Sequence, residues 1–174
     1  LTVEDVDLIV VATATPDGRP SVRMVLLKAV DDRGFVFYTN AESRKGRELA
    51  ANAQASLCFY WKSLRRQVRI DGAVSPVSDE EADAYFDSRD RGARIGAWAS
   101  AQSRSMEGRF DLEKNIAKYA AKFNVGAVPR PEYWRGYRVA PEVIEFWVER
   151  KSRLHDRWAY HQGDGGVWTM EILF

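Results

Sequence analysis

Leu8–Thr39, LIVVATATPDGRPSVRMVLLKAVDDRGFVFYT, decides the fold. Leu8–Ala14 is a β-branched run that stops at Pro16-Asp17-Gly18, a turn signal. Ser21–Val30 reads as a second strand, closed by Asp31-Asp32-Arg33-Gly34, and Phe35–Thr39 as a third. Connections this tight join antiparallel neighbours, because a parallel pair needs a crossover of a dozen residues or more. The chain therefore opens as an antiparallel meander.

Downstream, strands and helices do not alternate regularly, which argues against a doubly wound sheet. Asn40–Asn52 reads as a helix with Ser43 as its N-cap and Leu49 and Ala50 on its apolar side. Ala55–Trp61 and Gln67–Val77 are strands; Gln67, Arg69 and Asp71 share one face of the second, and Val68 and Ile70 the other. Ser78 with Glu81 is a capping box that opens a helix carrying Ala82, Tyr85 and Phe86. Arg94–Ser100 is expected to be a short helix, and Leu112, Ile116, Tyr119 and Phe123 mark an amphipathic one. After Pro129 and Pro131 come strands expected at Gly136–Val139, Val143–Glu149, Asp156–His161 and Val167–Leu173. Many short strands with inserted helices predict a mainly β fold, a closed or nearly closed antiparallel barrel. A single domain over 1–174 is expected, with helical excursions near 42–52 and 78–124.

Composition narrows the function. Hydrophobic residues make up 45% of 174, enough for a sizeable core. With 26 Lys and Arg against 25 Asp and Glu, the net charge of +1 argues against a nucleic-acid binder that relies on bulk electrostatics. The one cysteine, Cys58, cannot form an internal disulfide, and an inert thiol in a reducing, cytoplasmic compartment is expected. No stretch reaches the length of a membrane span. Two histidines and one cysteine make a structural zinc site improbable. There is no phosphate loop of either common type and no nucleophile elbow, so a bound organic cofactor is the expected carrier of any hard chemistry.

The candidate chemistry lies in basic residues at element ends. Arg153, His155 and Arg157 fall at i, i+2 and i+4; on a strand they would share a face over roughly 13 Å, beside Trp147. Such a row suits phosphate and a flat ring, and it equally suits a solvent-facing strand. Arg23 and Lys28 have odd spacing, so one ligand could meet both only at a bulge or strand end. Arg44 and Lys45 open a helix, where backbone N–H groups favour an anion. Arg89, Arg91 and Arg94 follow the helix that bears Tyr85, and a solvated loop explains them as well. Gln67, Gln102 and Ser103 have ordinary structural readings too.

Five segments occur in one order: RMVLLK (Arg23–Lys28), FYTNAESRKGRE (Phe37–Glu48), RQVRIDG (Arg66–Gly72), IGAWASAQS (Ile95–Ser103) and IEFW…RLHDR (Ile144–Arg157). Together they closely resemble the pyridoxine/pyridoxamine 5'-phosphate oxidase family, from about Val11 to Trp168. The resemblance implies an FMN-binding split barrel, antiparallel and Greek-key-like, working as a homodimer with flavin at the subunit interface. It implies FMN contacts from Arg23, Met24, Val25, Leu26, Leu27, Lys28, Tyr38, Thr39, Arg44, Lys45, Gln67, Gln102, Ser103, Trp147 and Arg157. It implies substrate contacts from Lys28, Tyr85, Arg89, Arg153 and His155, the last two catalytic. Pyridoxamine or pyridoxine 5'-phosphate would be oxidised by O2 to pyridoxal 5'-phosphate and H2O2, within vitamin B6 metabolism. Ala93 stands where the family usually has a serine that helps hold the substrate phosphate, a loss of roughly 1 kcal/mol for one hydrogen bond. Val148 replaces a polar residue, and the ending EILF lacks the customary Arg-Leu-x-Pro. A related flavin oxidase of the phenazine-pathway type and a non-catalytic flavin or pyridoxal-phosphate carrier are the competing readings.

Overall fold

The structure, a computed structural model, describes residues 7–106 and 108–174. Its strands are β1 (Leu8–Ala14), β2 (Pro20–Asp31), β3 (Gly34–Asn40), β4 (Gln54–Trp61), β5 (Arg66–Pro76), β6 (Trp134–Val148), β7 (Asp156–Gln162) and β8 (Trp168–Leu173). The helices are α1 (Arg44–Ala51), α2 (Asp79–Ser88), α3 (Arg91–Ala99) and α4 (Asp111–Lys122). The sheet order is β3-β2-β1-β4-β5-β6-β7-β8, and β3 also pairs with β6. That extra pairing closes the first six strands into an antiparallel barrel and leaves β7 and β8 as an extension.

The meander forms as its turns dictate. Gly18 takes φ +83 and donates its N–H to the Thr15 carbonyl. Gly34 takes φ +131, and a Cβ there would lie 2.1 Å from the Val139 carbonyl oxygen, so only glycine lets β3 approach β6. The two faces of β2 alternate: Arg23, Val25 and Leu27 turn inward, while Val22, Met24 and Leu26 are exposed. Between Leu27 and Ala29 the pairing with β3 shifts by one residue, with Leu27 opposite Phe37 and Ala29 opposite Val36. Lys28 is the extra residue of a β-bulge, which puts it on the inward-leaning side despite its odd distance from Arg23.

The described chain divides into two compact units. The first, among the described residues 7–37, 48–75 and 137–174, holds the barrel core: Ile9, Val11, Phe37, Leu49, Leu57, Phe59, Ile70 and Val139, all nearly or fully buried. The second, among the described residues 38–47, 76–106 and 108–136, is mainly helical and buries Ala82, Phe86, Ile95, Ala99, Val128 and Trp134. In it, Ser78 accepts from the Glu81 N–H, as the capping box predicts, and Asp90 caps α3 by accepting from the Ala93 N–H.

Several expectations change. The row Arg153, His155, Arg157 is not a strand face. Residues 151–153 form a 3-10 turn, Ser152 and Arg153 have φ +59 and +60, and β7 begins only at Asp156. Two successive left-handed residues end the extended conformation that the shared face required. The strands expected at 136–139 and 143–149 are one strand, β6, running through Pro141. Pro141 is tolerated because β6 changes neighbours there: Val139 and Ala140 pass Gly34 and Gly72, and from Val143 onward the strand pairs with β7. Helix α3 starts at Arg91 rather than Arg94, because Asp90 is its cap. The apolar stripe of α4 is only half used: Tyr119 and Phe123 pack on Trp98, whereas Leu112 and Ile116 stay 39% and 42% exposed.

Candidate functional site

In the barrel unit, Arg23 sits within a buried polar cluster. Its Nη1 donates to Thr13 Oγ1 (2.6 Å) and its Nη2 to Ser21 Oγ (2.5 Å), with Glu48 Oε2 at 3.5 Å. Lys28, raised by the bulge, has its Nζ 3.5 Å from Asp7 Oδ2. Asp7 Oδ1 is buried without a hydrogen-bond partner among the described residues. The Val25 and Leu27 side chains pack on the core cluster, while Met24 and Leu26 face outward. A pleated strand cannot offer all four side chains to one ligand, so a molecule touching the whole segment must use backbone for some of them. Gln67 is half-buried on β5, opposite Tyr60.

The β6–β7 hairpin and its turn hold four more predicted residues. Trp147 lies directly opposite Arg157. Arg157 Nε donates to Glu145 Oε1 (2.9 Å) and Nη1 to the Phe174 carbonyl (2.8 Å). The hydrogen bond to Glu145 raises the Arg157 pKa, so its charge is fixed. The His155 ring sits 4.6 Å from Trp147, and its Nδ1 accepts from the Arg150 N–H (3.2 Å). In the neutral ring the proton is then on Nε2, which becomes a donor. Arg150 Nε binds Asp156 Oδ2 (2.6 Å) across the same turn. Arg153 is exposed on the 3-10 turn, away from the strand row expected for it.

The helical unit carries a second constellation. Ser43 Oγ accepts from the Gly46 N–H, capping α1, and a Cβ on Gly46 would fall 2.2 Å from the Ala41 oxygen, so the chain can fold back only over glycine. This places Lys45, 7% exposed, with its Nζ donating to Thr39 Oγ1 (2.8 Å) and Gln102 Oε1 (3.0 Å). Thr39 Oγ1 also donates to Gln102 Oε1 (3.0 Å). Arg44, in the first turn of α1, is exposed. Ser103, next to Gln102, holds φ +65.

Tyr38 packs on both Tyr85 (4.2 Å, 22°) and Trp134 (4.9 Å, 12°), whose own rings lie 6.0 Å apart, so the three form a cluster of near-parallel rings. The Arg89 guanidinium lies 5.1 Å from the Trp134 ring and 5.5 Å from Phe86. Burial lowers the Arg89 pKa, opposed by Tyr85 and Asp90. Arg89 Nη1 is buried with no acceptor among the described residues. Arg91 instead bonds the carbonyls of Phe123 and Gly126, closing the end of α4. Arg94 Nη1 reaches Asp87 Oδ1 at 3.8 Å, and its Nε is also buried without an acceptor.

Four residues of these constellations were not predicted. Trp134 is the floor of the aromatic stack, and Gly136 makes room for Tyr38: a Cβ there would lie 2.6 Å from the Tyr38 ring. A glycine inside a strand pattern, between aromatics, is the signal that could have pointed there. Glu48 and Glu145 are buried carboxylates that hold Arg23 and Arg157, and nothing local in the sequence marks them.

The donors of each unit, taken by itself, are of the kind that suits a phosphate-bearing flavin: a buried lysine, a hydroxyl, an amide and a capped helix N-terminus in the helical unit, and strand arginines in the barrel unit. Among the described residues no group of His, Cys, Asp and Glu could hold a metal.

A closed antiparallel barrel, with a helical unit inserted in the chain, is the fold class of this protein. Residues 2–123 match the family model described as pyridoxamine 5'-phosphate oxidase, and residues 134–174 the pyridoxine 5'-phosphate oxidase C-terminal dimerisation region. The pyridoxine/pyridoxamine 5'-phosphate oxidase of Rhodospirillum rubrum is 60% identical over 98% of this chain and 87% of its own length. That of Rhizobium meliloti is 60% identical over 99% and 84%. A crystal structure of PhzG from Burkholderia lata 383, in complex with tetrahydrophenazine-1-carboxylic acid, matches with TM-score 0.90 at 37% identity, over 97% of this chain and 82% of that one. A pyridoxamine 5'-phosphate oxidase-related, FMN binding protein from Nostoc punctiforme shares the fold, with TM-score 0.78. The chain belongs to the pyridoxamine 5'-phosphate oxidase family, and so to the oxidoreductases.

Proposed function

We propose that this chain is an FMN-dependent oxidase that acts on pyridoxamine 5'-phosphate or pyridoxine 5'-phosphate. Pyridoxamine 5'-phosphate, O2 and water give pyridoxal 5'-phosphate, ammonia and H2O2; pyridoxine 5'-phosphate and O2 give the aldehyde and H2O2. The chemistry that FMN supplies when bound is acceptance of a hydride from the substrate C4' carbon and delivery of the electron pair to O2.

The chain's own residues bind and orient. Lys45, Thr39, Gln102, Ser103 and Arg44 in the helical unit, and Arg23, Lys28, Gln67, Trp147 and Arg157 in the barrel unit, are assigned to FMN. Tyr85, Arg89, Lys28, Arg153 and His155 are assigned to substrate. His155, held by the Arg150 N–H and Trp147, offers its Nε2–H as a donor to the phosphate ester. Arg153, on its exposed turn, supplies a cation for the substrate ring. Positioning of this kind accounts for much of the rate advantage open to such a site.

One observation carries the reading: the Arg89 guanidinium, half-buried over two rings, has a desolvated N–H without an acceptor. A buried donor left unpaired costs about 1–3 kcal/mol, and an anionic phosphate oxygen would recover it. A homodimer is part of the proposal. Its support is the match to the dimerisation region and the exposed apolar residues Met24 and Leu26 on β2 and Met170 and Ile172 on β8. No helix among the described residues is long and apolar enough to cross a membrane, and work in the cytoplasm is part of the same proposal.

A second reading, oxidation of an anionic reduced phenazine, draws on the PhzG similarity and on the flat aromatic stack. The test is an absorbance spectrum of FMN-loaded protein, followed by oxygen consumption with pyridoxamine 5'-phosphate and with unphosphorylated pyridoxamine. Turnover that prefers the phosphorylated amine supports the proposal. A loaded protein that forms no aldehyde from either phosphorylated substrate overturns it.

A further inference from the structure

Glu48 is a buried carboxylate (4% exposed) on the barrel unit, and the chemistry assigned above does not use it. Leaving a carboxylate there without partners would be costly, so its surroundings are informative. Oε2 accepts from Thr13 Oγ1 and from Ser21 Oγ, both at 2.5 Å. Those two hydroxyls are the acceptors for Nη1 and Nη2 of Arg23. The direct Arg23–Glu48 approach is longer, 3.5 Å.

The proton directions are therefore fixed. An ionised carboxylate only accepts, so each hydroxyl must point its single hydrogen at Glu48 and turn its lone pairs to the guanidinium. Thr13 and Ser21 lie directly opposite each other on β1 and β2, so the two strands offer the guanidinium a matched pair of oxygens. A glutamine at 48 could still place one neutral oxygen at the Oε2 position, but without the charge its hold on the two hydroxyl hydrogens is weaker.

We infer that Glu48 is a positioning residue, which acts through Thr13 and Ser21 to fix the Arg23 guanidinium in the orientation that receives the anionic flavin cofactor. The inference rests on the assignment of Arg23 to FMN. Arg23 then works through the direction of its N–H groups more than through net charge, because the nearby carboxylate offsets that charge.

The test is a double-mutant cycle on full-length protein stripped of flavin, read as the Kd for FMN by fluorescence quenching, with thermal unfolding of the apoprotein alongside. Glu48→Gln is expected to raise the Kd by about fivefold to thirtyfold, less than the loss of a whole charge-assisted hydrogen bond, because a neutral acceptor replaces a charged one. Arg23→Ala should weaken binding at least as much, and the double variant should be no weaker than Arg23→Ala alone. Ser21→Ala, which keeps the Glu48 charge and the Thr13 arm, guards against misfolding and should give a smaller rise. An unchanged Kd in Glu48→Gln, or losses that multiply in the double variant, overturns the inference. An unchanged Kd in Arg23→Ala overturns it too, while leaving FMN binding by the parent intact. Absence of FMN binding by the parent is the separate failure of the proposed function.

Discussion

Replacing Arg89 by methionine should separate the stability of the fold from its affinity for phosphate. The guanidinium gains from the faces of Trp134 and Phe86 at 5.1 and 5.5 Å. Such contacts are worth about 0.5–1 kcal/mol when exposed and about 2 when desolvated. Against that stands Nη1, buried without an acceptor, a penalty of about 1–3 kcal/mol. The two nearly cancel, and methionine keeps an apolar stem against the rings. Unfolding of the apoprotein should therefore shift by no more than about 1 kcal/mol in either direction. Ligand binding should behave differently. A hydrogen bond to a charged group is worth about 1.5–3 kcal/mol, so affinity for pyridoxal 5'-phosphate should fall roughly 10- to 150-fold. Titration followed by absorbance measures it, with pyridoxal as the unphosphorylated control, whose affinity should hardly move. Equal losses for both aldehydes would refute the assignment of Arg89 to the phosphate. A drop of several kcal/mol in apoprotein stability would refute the claim that its environment leaves it unsatisfied.

Other outcomes follow from the same geometry. Gly136→Ala would drive a Cβ to 2.6 Å from the Tyr38 ring and the Val77 methyl; a loss of about 1–3 kcal/mol is expected in denaturant unfolding, and little change would mean that the stack is loose. Arg157→Ala should weaken FMN retention on gel filtration, since it also leaves the buried Glu145 with the longer Arg69 pair at 3.5 Å, whereas Arg153→Ala should keep FMN and slow turnover; equal FMN occupancy in Arg157→Ala and the parent would contradict this division. Burial raises the Cys58 pKa above its ordinary value near 9.0. Its stabilising contribution is then fully present below that value and is lost as pH rises through the shifted one. Iodoacetamide should label it slowly at pH 7.5 and faster with each pH unit beyond 9; full labelling within minutes at pH 7.5 would contradict its burial.

Much of the barrel was legible because its signals are local. Gly18 and Gly34 mark turns, and alternation along β1 and β2 marks faces. Ser43, Ser78 and Glu81 mark helix starts, and the first two strands lie within a residue of their predicted bounds. The failures share one cause, which is that the decisive contact is distant in sequence. Arg153 and His155 follow an i, i+2 spacing, yet the left-handed pair Ser152–Arg153 is set by closure of the β6–β7 hairpin. Pro141 reads as a strand end, and only the approach of Gly34 and Gly72 to β6 shows that its missing N–H costs little. At the candidate site, the types and positions of Lys45, Thr39 and Gln102 could be named from the family resemblance. That they meet as a hydrogen-bonded triangle could not, because Gln102 lies 57 residues from Lys45. Glu48 and Glu145 were invisible for the opposite reason: a lone glutamate in a helix or strand carries no local mark of burial.

The bulge at Lys28 has a consequence for how this chain can change over generations. Because β2 carries one residue more than its partner opposite Phe37 and Val36, its two ends keep separate side-chain phases. Deleting any one residue between Arg23 and Lys28 would restore an even ladder and turn one end's inward set outward. Adding one would do the same to the other end. A point substitution at the exposed Val22 leaves this register intact, whereas a change of length does not, so among related chains gaps in this segment should be far rarer than exchanges at Val22.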